Sequence, residues 1–156
     1  MKEAFVPDAY CGLYCASCPA YQATQNGTLE EMFRDSDKSP EDAACHGCKS
    51  RAVNKGWCSI CTLKACAKTK GYDFCYECAE YPCKELESFK NDPNYPYHSE
   101  VYDSLKIIKA EGKDVWLEKM KTRWSCPDCG NVLNWWDTLC PQCGIRVNGY
   151  INPQDK

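Results

Sequence analysis

The sequence predicts a small metal-scaffolded α+β fold in three consecutive parts. These are an irregular cysteine-rich zinc-knuckle module with short helices over 1–90, a helical connector over 91–123, and a zinc ribbon hairpin over 124–156. Three observations predict it. Fifteen of the 156 residues are cysteine, most of them in C-x2-C pairs. Leu, Ile, Val and Phe together number 23, about 15% of the chain, below the roughly 20% at which an ordinary apolar core becomes hard to build. The formal net charge is only −3, so self-repulsion does not keep the chain unfolded, and something other than a large core must stabilise it. Metal meets that need: a structural zinc ion contributes on the order of 10–16 kcal/mol in small fingers, comparable to the whole stability of a typical domain.

A disulfide framework is the other use of so many cysteines, and three features oppose it. The segment Met1-Lys2-Glu3-Ala4-Phe5-Val6-Pro7 has no apolar stretch of the kind a secretory signal carries, the cysteine count is odd, and cysteines three residues apart point at one ion more readily than they bridge each other. No run approaches the roughly 20 apolar residues of a membrane span. The expectation is a soluble cytoplasmic protein with no membrane partner.

In the first part, Thr28-Leu29-Glu30-Glu31 reads as a capping box opening a short helix with Leu29, Met32 and Phe33 on its apolar face. Ser39-Pro40-Glu41-Asp42 reads as a second helix start, and a third helix follows Pro82 and uses Leu86 and Phe89. One internal repeat stands out: Cys58-x2-Cys61-x4-Cys66 recurs as Cys75-x2-Cys78-x4-Cys83, each copy preceded by an aromatic residue, Trp57 or Phe74. Two copies make paired knuckles rather than a solenoid. In the connector, Asn91-Asp92-Pro93-Asn94-Tyr95-Pro96 is a turn-rich break. It is followed by a helix with Val101, Leu105 and Ile108 on one face, ended by Gly112. A second helix starts with Asp114 as N-cap and carries Trp116, Met120 and Trp124 at four-residue spacing, which packing explains.

The third part holds the most specific motif. Cys126-Pro127-Asp128-Cys129-Gly130 and Cys140-Pro141-Gln142-Cys143-Gly144 are two zinc knuckles separated by ten residues that can form a hairpin. Proline stiffens each turn, and glycine permits the backbone conformation that aims amide N–H groups at sulfur. Four thiolates enclose an ion tetrahedrally and leave no open position, which is the mark of a structural site.

The first part supplies eleven further candidate ligands: Cys11, Cys15, Cys18, Cys45, Cys48, Cys58, Cys61, Cys66, Cys75, Cys78 and Cys83. His46 would complete twelve, enough for three four-ligand sites, and with the ribbon the chain would hold about three to four zinc ions. One workable partition places Cys45, Cys48, Cys58 and Cys61 on one ion, and Cys66, Cys75, Cys78 and Cys83 on a second. Cys11, Cys15 and Cys18 then hold a third with an outside ligand. A crossed arrangement or bridging thiolates would serve equally well. An iron-sulfur cluster in this part is the alternative cofactor, because sulfur donors suit iron as well as zinc. The spacing Cys11-x3-Cys15-x2-Cys18 also matches that of radical S-adenosylmethionine enzymes, but the chain has neither the length nor the alternation for their barrel.

Cys11-Gly12-Leu13-Tyr14-Cys15-Ala16-Ser17-Cys18-Pro19-Ala20-Tyr21, Cys45-His46-Gly47-Cys48, the segment from Cys58 to Ala67, and Cys75-Tyr76-Glu77-Cys78-Ala79-Glu80-Tyr81-Pro82-Cys83 together resemble the cysteine-rich domain-of-unknown-function family 3795. The resemblance extends through the Trp116-Leu117 helix to the terminal ribbon. It implies no particular reaction. The family's occurrence in bacteria and archaea, often anaerobes, keeps iron-sulfur chemistry in view.

Between Cys45 and Lys70 stand Lys49, Arg51, Lys55, Lys64, Lys68 and Lys70, with no acidic residue. These cations lower the repulsion among thiolates. The sharper reading is a nucleic-acid or phosphate site with Trp57 available for stacking, which the chain's overall acidity opposes. Lys119, Lys121, Arg123, Trp135 and Trp136 form a second candidate contact surface, for a protein or a base, provided the tryptophans are exposed. No phosphate-binding glycine loop, nucleophile elbow or His-Glu metalloprotease motif is present, so a non-catalytic interaction protein is favoured over an enzyme. A protein partner is expected, with nucleic acid as the alternative.

Overall fold

Val101, Leu105 and Ile108 recur at the spacing of one helix face, and that face is buried at the centre of the larger of two cores. A computed structural model describes residues 4–52 and 55–155; Met1, Lys2 and Glu3 of the N-terminal segment, and the Trp57 side chain, lie outside the described residues. Seven α-helices order the described chain: α1 (Pro19–Asn26), α2 (Leu29–Met32), α3 (Pro40–Ala43), α4 (Thr62–Lys70), α5 (Lys84–Lys90), α6 (Val101–Glu111) and α7 (Lys113–Arg123). Short 3-10 turns lie between them, two of which begin at ligand candidates, over Cys15–Ser17 and Cys75–Glu77.

Helices α6 and α7 pack against each other across Gly112, whose φ of 95° ends one helix and starts the next. Gly112 therefore takes the cap position expected of Asp114, which lies instead in the first turn of α7, where its charge still favours the helix dipole. Trp116 of α7 is fully buried, with its indole edge-on to Tyr14 at 6.0 Å. The predicted helices at Pro40 and after Pro82 are present, and the Cys83 sulfur accepts the Leu86 amide at the start of α5. The capping box at Thr28 does not form, since the Thr28 side chain makes no cap bond to the four-residue α2. Helices α1 and α4 were not expected; each ends on a glycine with positive φ, Gly27 or Gly71.

Leu63 from α4, Leu86 from α5, Phe74, and Tyr21 from α1 surround the α6 face, and Cys11, Cys15 and Cys48 are buried among them. The second core gathers Trp124, Leu133, Trp135 and Val147 under Tyr97, with Cys126 and Cys140 inside it. Leu13, Tyr14, Cys18 and Met120 pack against both. Sulfur thus occupies interior positions that aliphatic side chains would fill in an ordinary domain.

The α+β expectation is corrected. Among the described residues there is no extended strand, only the isolated bridges Asp8↔Tyr14, Ser125↔Val132 and Leu139↔Arg146. The expected hairpin joining the two C-terminal knuckles is likewise absent. Each knuckle is itself a turn, closed by Leu133 N to Trp124 O (2.8 Å) in one and Val147 N to Thr138 O (2.9 Å) in the other. A chain that reverses within five residues aligns too few pairs to extend a ladder. No helix among the described residues is long and apolar enough to cross a membrane.

His98, just before α6, stacks on Phe89 at 3.6 Å, and its Nδ1 lies 2.9 Å from the Phe89 carbonyl oxygen. Burial pushes its pKa down to about 4, against the opposing pull of that carbonyl and of Asp92. The imidazole is therefore neutral in the fold, while the unfolded chain takes up a proton near pH 6.5. Stability is unaffected by this group above that pH and falls as pH drops toward 4, by up to about 1.4 kcal/mol per pH unit. Denaturant titrations from pH 7 to pH 4 should show a His98→Phe variant with a shallower acid slope than the native chain; equal slopes would contradict the assignment.

Candidate metal centre

The two C-terminal knuckles are built alike, with three backbone hydrogen bonds repeated fourteen residues on. Gly130 N donates to Cys126 O and Gly144 N to Cys140 O, both at 2.9 Å; Cys126 N donates to Asn131 O and Cys140 N to Ile145 O, both at 2.8 Å. Gly130 and Gly144 hold φ values of 76° and 80°, the left-handed conformation expected of them, and a Cβ at either would meet no atom within 4 Å. Their role is thus conformational, since an L side chain there costs roughly 1–2 kcal/mol.

These turns bring the sulfurs of Cys126, Cys129, Cys140 and Cys143 within 4.8 Å of one another. Cys126 Sγ and Cys143 Sγ are 3.6 Å apart, as are Cys129 Sγ and Cys140 Sγ. A disulfide requires about 2.05 Å, whereas ligands about 2.3 Å from a tetrahedral ion lie about 3.8 Å from each other. The sulfurs therefore fit a metal ion and not a bridge. Cys126 and Cys140 are buried, while Cys129 and Cys143 face solvent. The Cys143 and Gln142 amides donate to the Cys140 sulfur and draw its pKa down to about 6. At Cys143 the Ile145 amide pulls the same way, but desolvation and the three neighbouring sulfurs outweigh it and push the thiol up to about 12. Four thiolates this close repel one another, and a divalent cation at their centre removes that cost.

The segment between the knuckles docks on the first part of the chain. Trp135 N donates to Ser17 O (3.1 Å), Gln22 Nε2 donates to Leu133 O (3.0 Å), and the Trp135 ring stacks on Tyr97 at 3.7 Å. Trp135 is only 5% exposed and Trp136 is half-buried, so they are not the exposed pair that a contact surface there requires. Lys119 pairs with Glu111 at 2.8 Å, and Arg123 lies over the Trp124 ring.

Among the described residues the terminal four are the one set of three or more metal donors within 4.8 Å of each other. The eleven cysteines of the first part stand more loosely. Cys11, Cys15 and Cys48 are buried, and Cys18, Cys45, Cys58, Cys61, Cys66, Cys75, Cys78 and Cys83 are half-buried. The Cys15 thiol interacts most strongly with Cys48, and the Cys58 thiol with Cys45. Desolvation foremost, and then the charges of Cys83, Cys66, Cys61 and Cys78, push the Cys75 thiol up to about 12. His46 stacks its ring on Phe5 at 4.5 Å, and its carbonyl accepts the Val6 amide.

Four of the six cations of the basic stretch, Lys49, Lys55, Lys64 and Lys70, are engaged within the chain. Lys49 Nζ pairs with Asp8 at 2.7 Å and Asp73 at 2.8 Å over the face of Phe74; Lys55 approaches Asp42; Lys70 Nζ reaches Glu80 and the Cys78 sulfur at 3.4 Å. Lys64 acts on Cys45, Cys48 and Cys58. The acids that pair with Lys49, Asp8 and Asp73, lie outside the basic run, which is why sequence order hides the pairing.

A family model described as "Protein of unknown function (DUF3795)" matches residues 8–88, and the four-sulfur cluster lies beyond that match. No curated protein and no solved structure matches the chain.

Cys140→Ser should lower bound metal by one ion per chain, read by elemental analysis, and free the solvent-facing Cys129 and Cys143 for alkylation. Unchanged metal content would show that these sulfurs do not share an ion.

Proposed function

The chain belongs to the DUF3795 family, and from that premise we propose that it is a cytoplasmic protein whose fold is held by structural zinc and which acts by binding another protein. The observation that carries this reading is the 3.6 Å sulfur spacing of the paired terminal knuckles, which suits a closed tetrahedral zinc ribbon. A closed site has no position for substrate, so its contribution is to shape. None of the fifteen cysteines is joined in a disulfide, as suits a reducing compartment. The small aliphatic inventory makes the same demand from the energetic side, because the two cores fill interior positions with sulfur. Lys64 and Lys70 beside the thiols compensate charge, which leaves less of the basic stretch to hold a phosphate backbone. Val132, Leu139 and Ile151, each more than half exposed, give the terminal part apolar side chains that a protein partner would cover.

Protein purified without air should carry about three to four zinc ions per chain and be colourless. Iron with acid-labile sulfide and broad visible absorption would replace this reading by an iron-sulfur redox or sensing protein, and absence of any metal would defeat both.

A further inference from the structure

We propose that Cys15, Cys18, Cys45 and Cys48 together hold one zinc ion, forming a second paired-knuckle site within the family-matched residues. This deepens the metal reading above and rests on it. By sequence order, Cys45 and Cys48 would pair with the nearby Cys58 and Cys61. The backbone joins them elsewhere. Val6 N donates to His46 O and Cys15 N donates to Pro7 O, both at 2.8 Å, so two consecutive residues clamp the Cys15 turn to the Cys45–Cys48 loop. From α1, which begins directly after Cys18, the Thr24 hydroxyl oxygen accepts the Cys45 amide at 2.9 Å.

The two knuckles then stand side by side in the order used by the terminal cluster. There, the first cysteine of one knuckle contacts the last of the other, Cys126 with Cys143, and the inner two meet, Cys129 with Cys140. In the first part Cys15 interacts most strongly with Cys48, and Cys18 feels the charge of Cys45. Backbone donors repeat as well. Cys140 accepts from the amides two and three residues ahead, Gln142 and Cys143, and Cys18 accepts from the amides of Ala20 and Tyr21 at the same offsets. The Gly47 amide donates to Cys45 Sγ at 3.4 Å, two residues ahead, as the Asn131 amide does to Cys129. Amide-to-sulfur bonds of this kind stabilise a thiolate, the form in which sulfur binds metal.

Cys58 is the competing ligand, since it also contacts Cys45. Its knuckle partner Cys61 acts instead on Cys11 and Cys75, and no backbone hydrogen bond joins the Cys58–Cys61 turn to the Cys45–Cys48 loop among those of the described residues. The four proposed sulfurs stand wider than the terminal four, which lie within 4.8 Å of one another.

The test uses the full native chain, purified without air and with its zinc counted. Limiting chelator removes zinc stepwise while iodoacetamide labels released thiols, which mass spectrometry maps. Cys15, Cys18, Cys45 and Cys48 should become labelled in one step as one zinc leaves. Release of Cys45 and Cys48 with Cys58 and Cys61, while Cys15 and Cys18 react in a separate step, would overturn the proposal and leave the metal reading intact. A chain carrying no metal at all would instead overturn the metal reading. Cys15→Ser and Cys48→Ser supply the second measurement. Each single variant and the double variant should lose the same single zinc, whereas loss of two ions in the double variant would place the cysteines on different sites.

Discussion

A thiolate buried beside Leu, Trp and Tyr side chains is costly unless a cation lies within bonding distance, and this chain buries sulfur in both of its cores. The rest of the structure follows from that constraint. Helices α2 and α3 are one turn long and bury no side chain, so they cannot be stable alone and act as spacers between sulfur-bearing loops. Helices α6 and α7, with Val101, Leu105, Ile108 and Trp116, form a conventional packed pair. They carry the sulfur turns on either side, the first part against α6 and the terminal knuckles at the end of α7.

The two sulfur regions are also tied to each other. Ser17 lies in the turn between Cys15 and Cys18, and its carbonyl takes the amide of Trp135, which lies between the terminal knuckles. Cys18 itself packs against both cores. Two hydrogen bonds join the regions, Trp135 N to Ser17 O and Gln22 Nε2 to Leu133 O, and the Trp135 ring stacks on Tyr97. Such an arrangement suits a rigid surface held for a partner, with Val132 and Leu139 projecting from the terminal turns.

Much of this was legible in the order of residues. The terminal ligands follow from Cys-Pro-x-Cys-Gly written twice, because that motif fixes a turn by local chemistry alone. Helix α6 follows from its apolar spacing, and Gly112 marks its end. What sequence order hides is pairing at a distance. Cys45 and Cys48 lie near Cys58 in sequence, yet the residues that bring Cys48 to Cys15 are Val6 and Pro7, whose backbone atoms carry no signature. Helix α4 escaped notice because Cys66 interrupts its pattern and its apolar face is only Leu63 and Ala67. The hairpin between knuckles was misread because ten intervening residues suggest two strands, whereas Trp135 in their middle is spent on docking.

The most direct measurement is the unfolding of metal-stripped chain under reducing conditions, followed by tryptophan fluorescence and circular dichroism as denaturant or temperature rises. If sulfur-held ions supply the stability that the sparse aliphatic core does not, removing them with chelator exposes Trp116, Trp124 and Trp135, abolishes the cooperative transition, and restores it when zinc is returned. A compact chain without metal that still melts cooperatively, its tryptophans buried, would contradict that dependence.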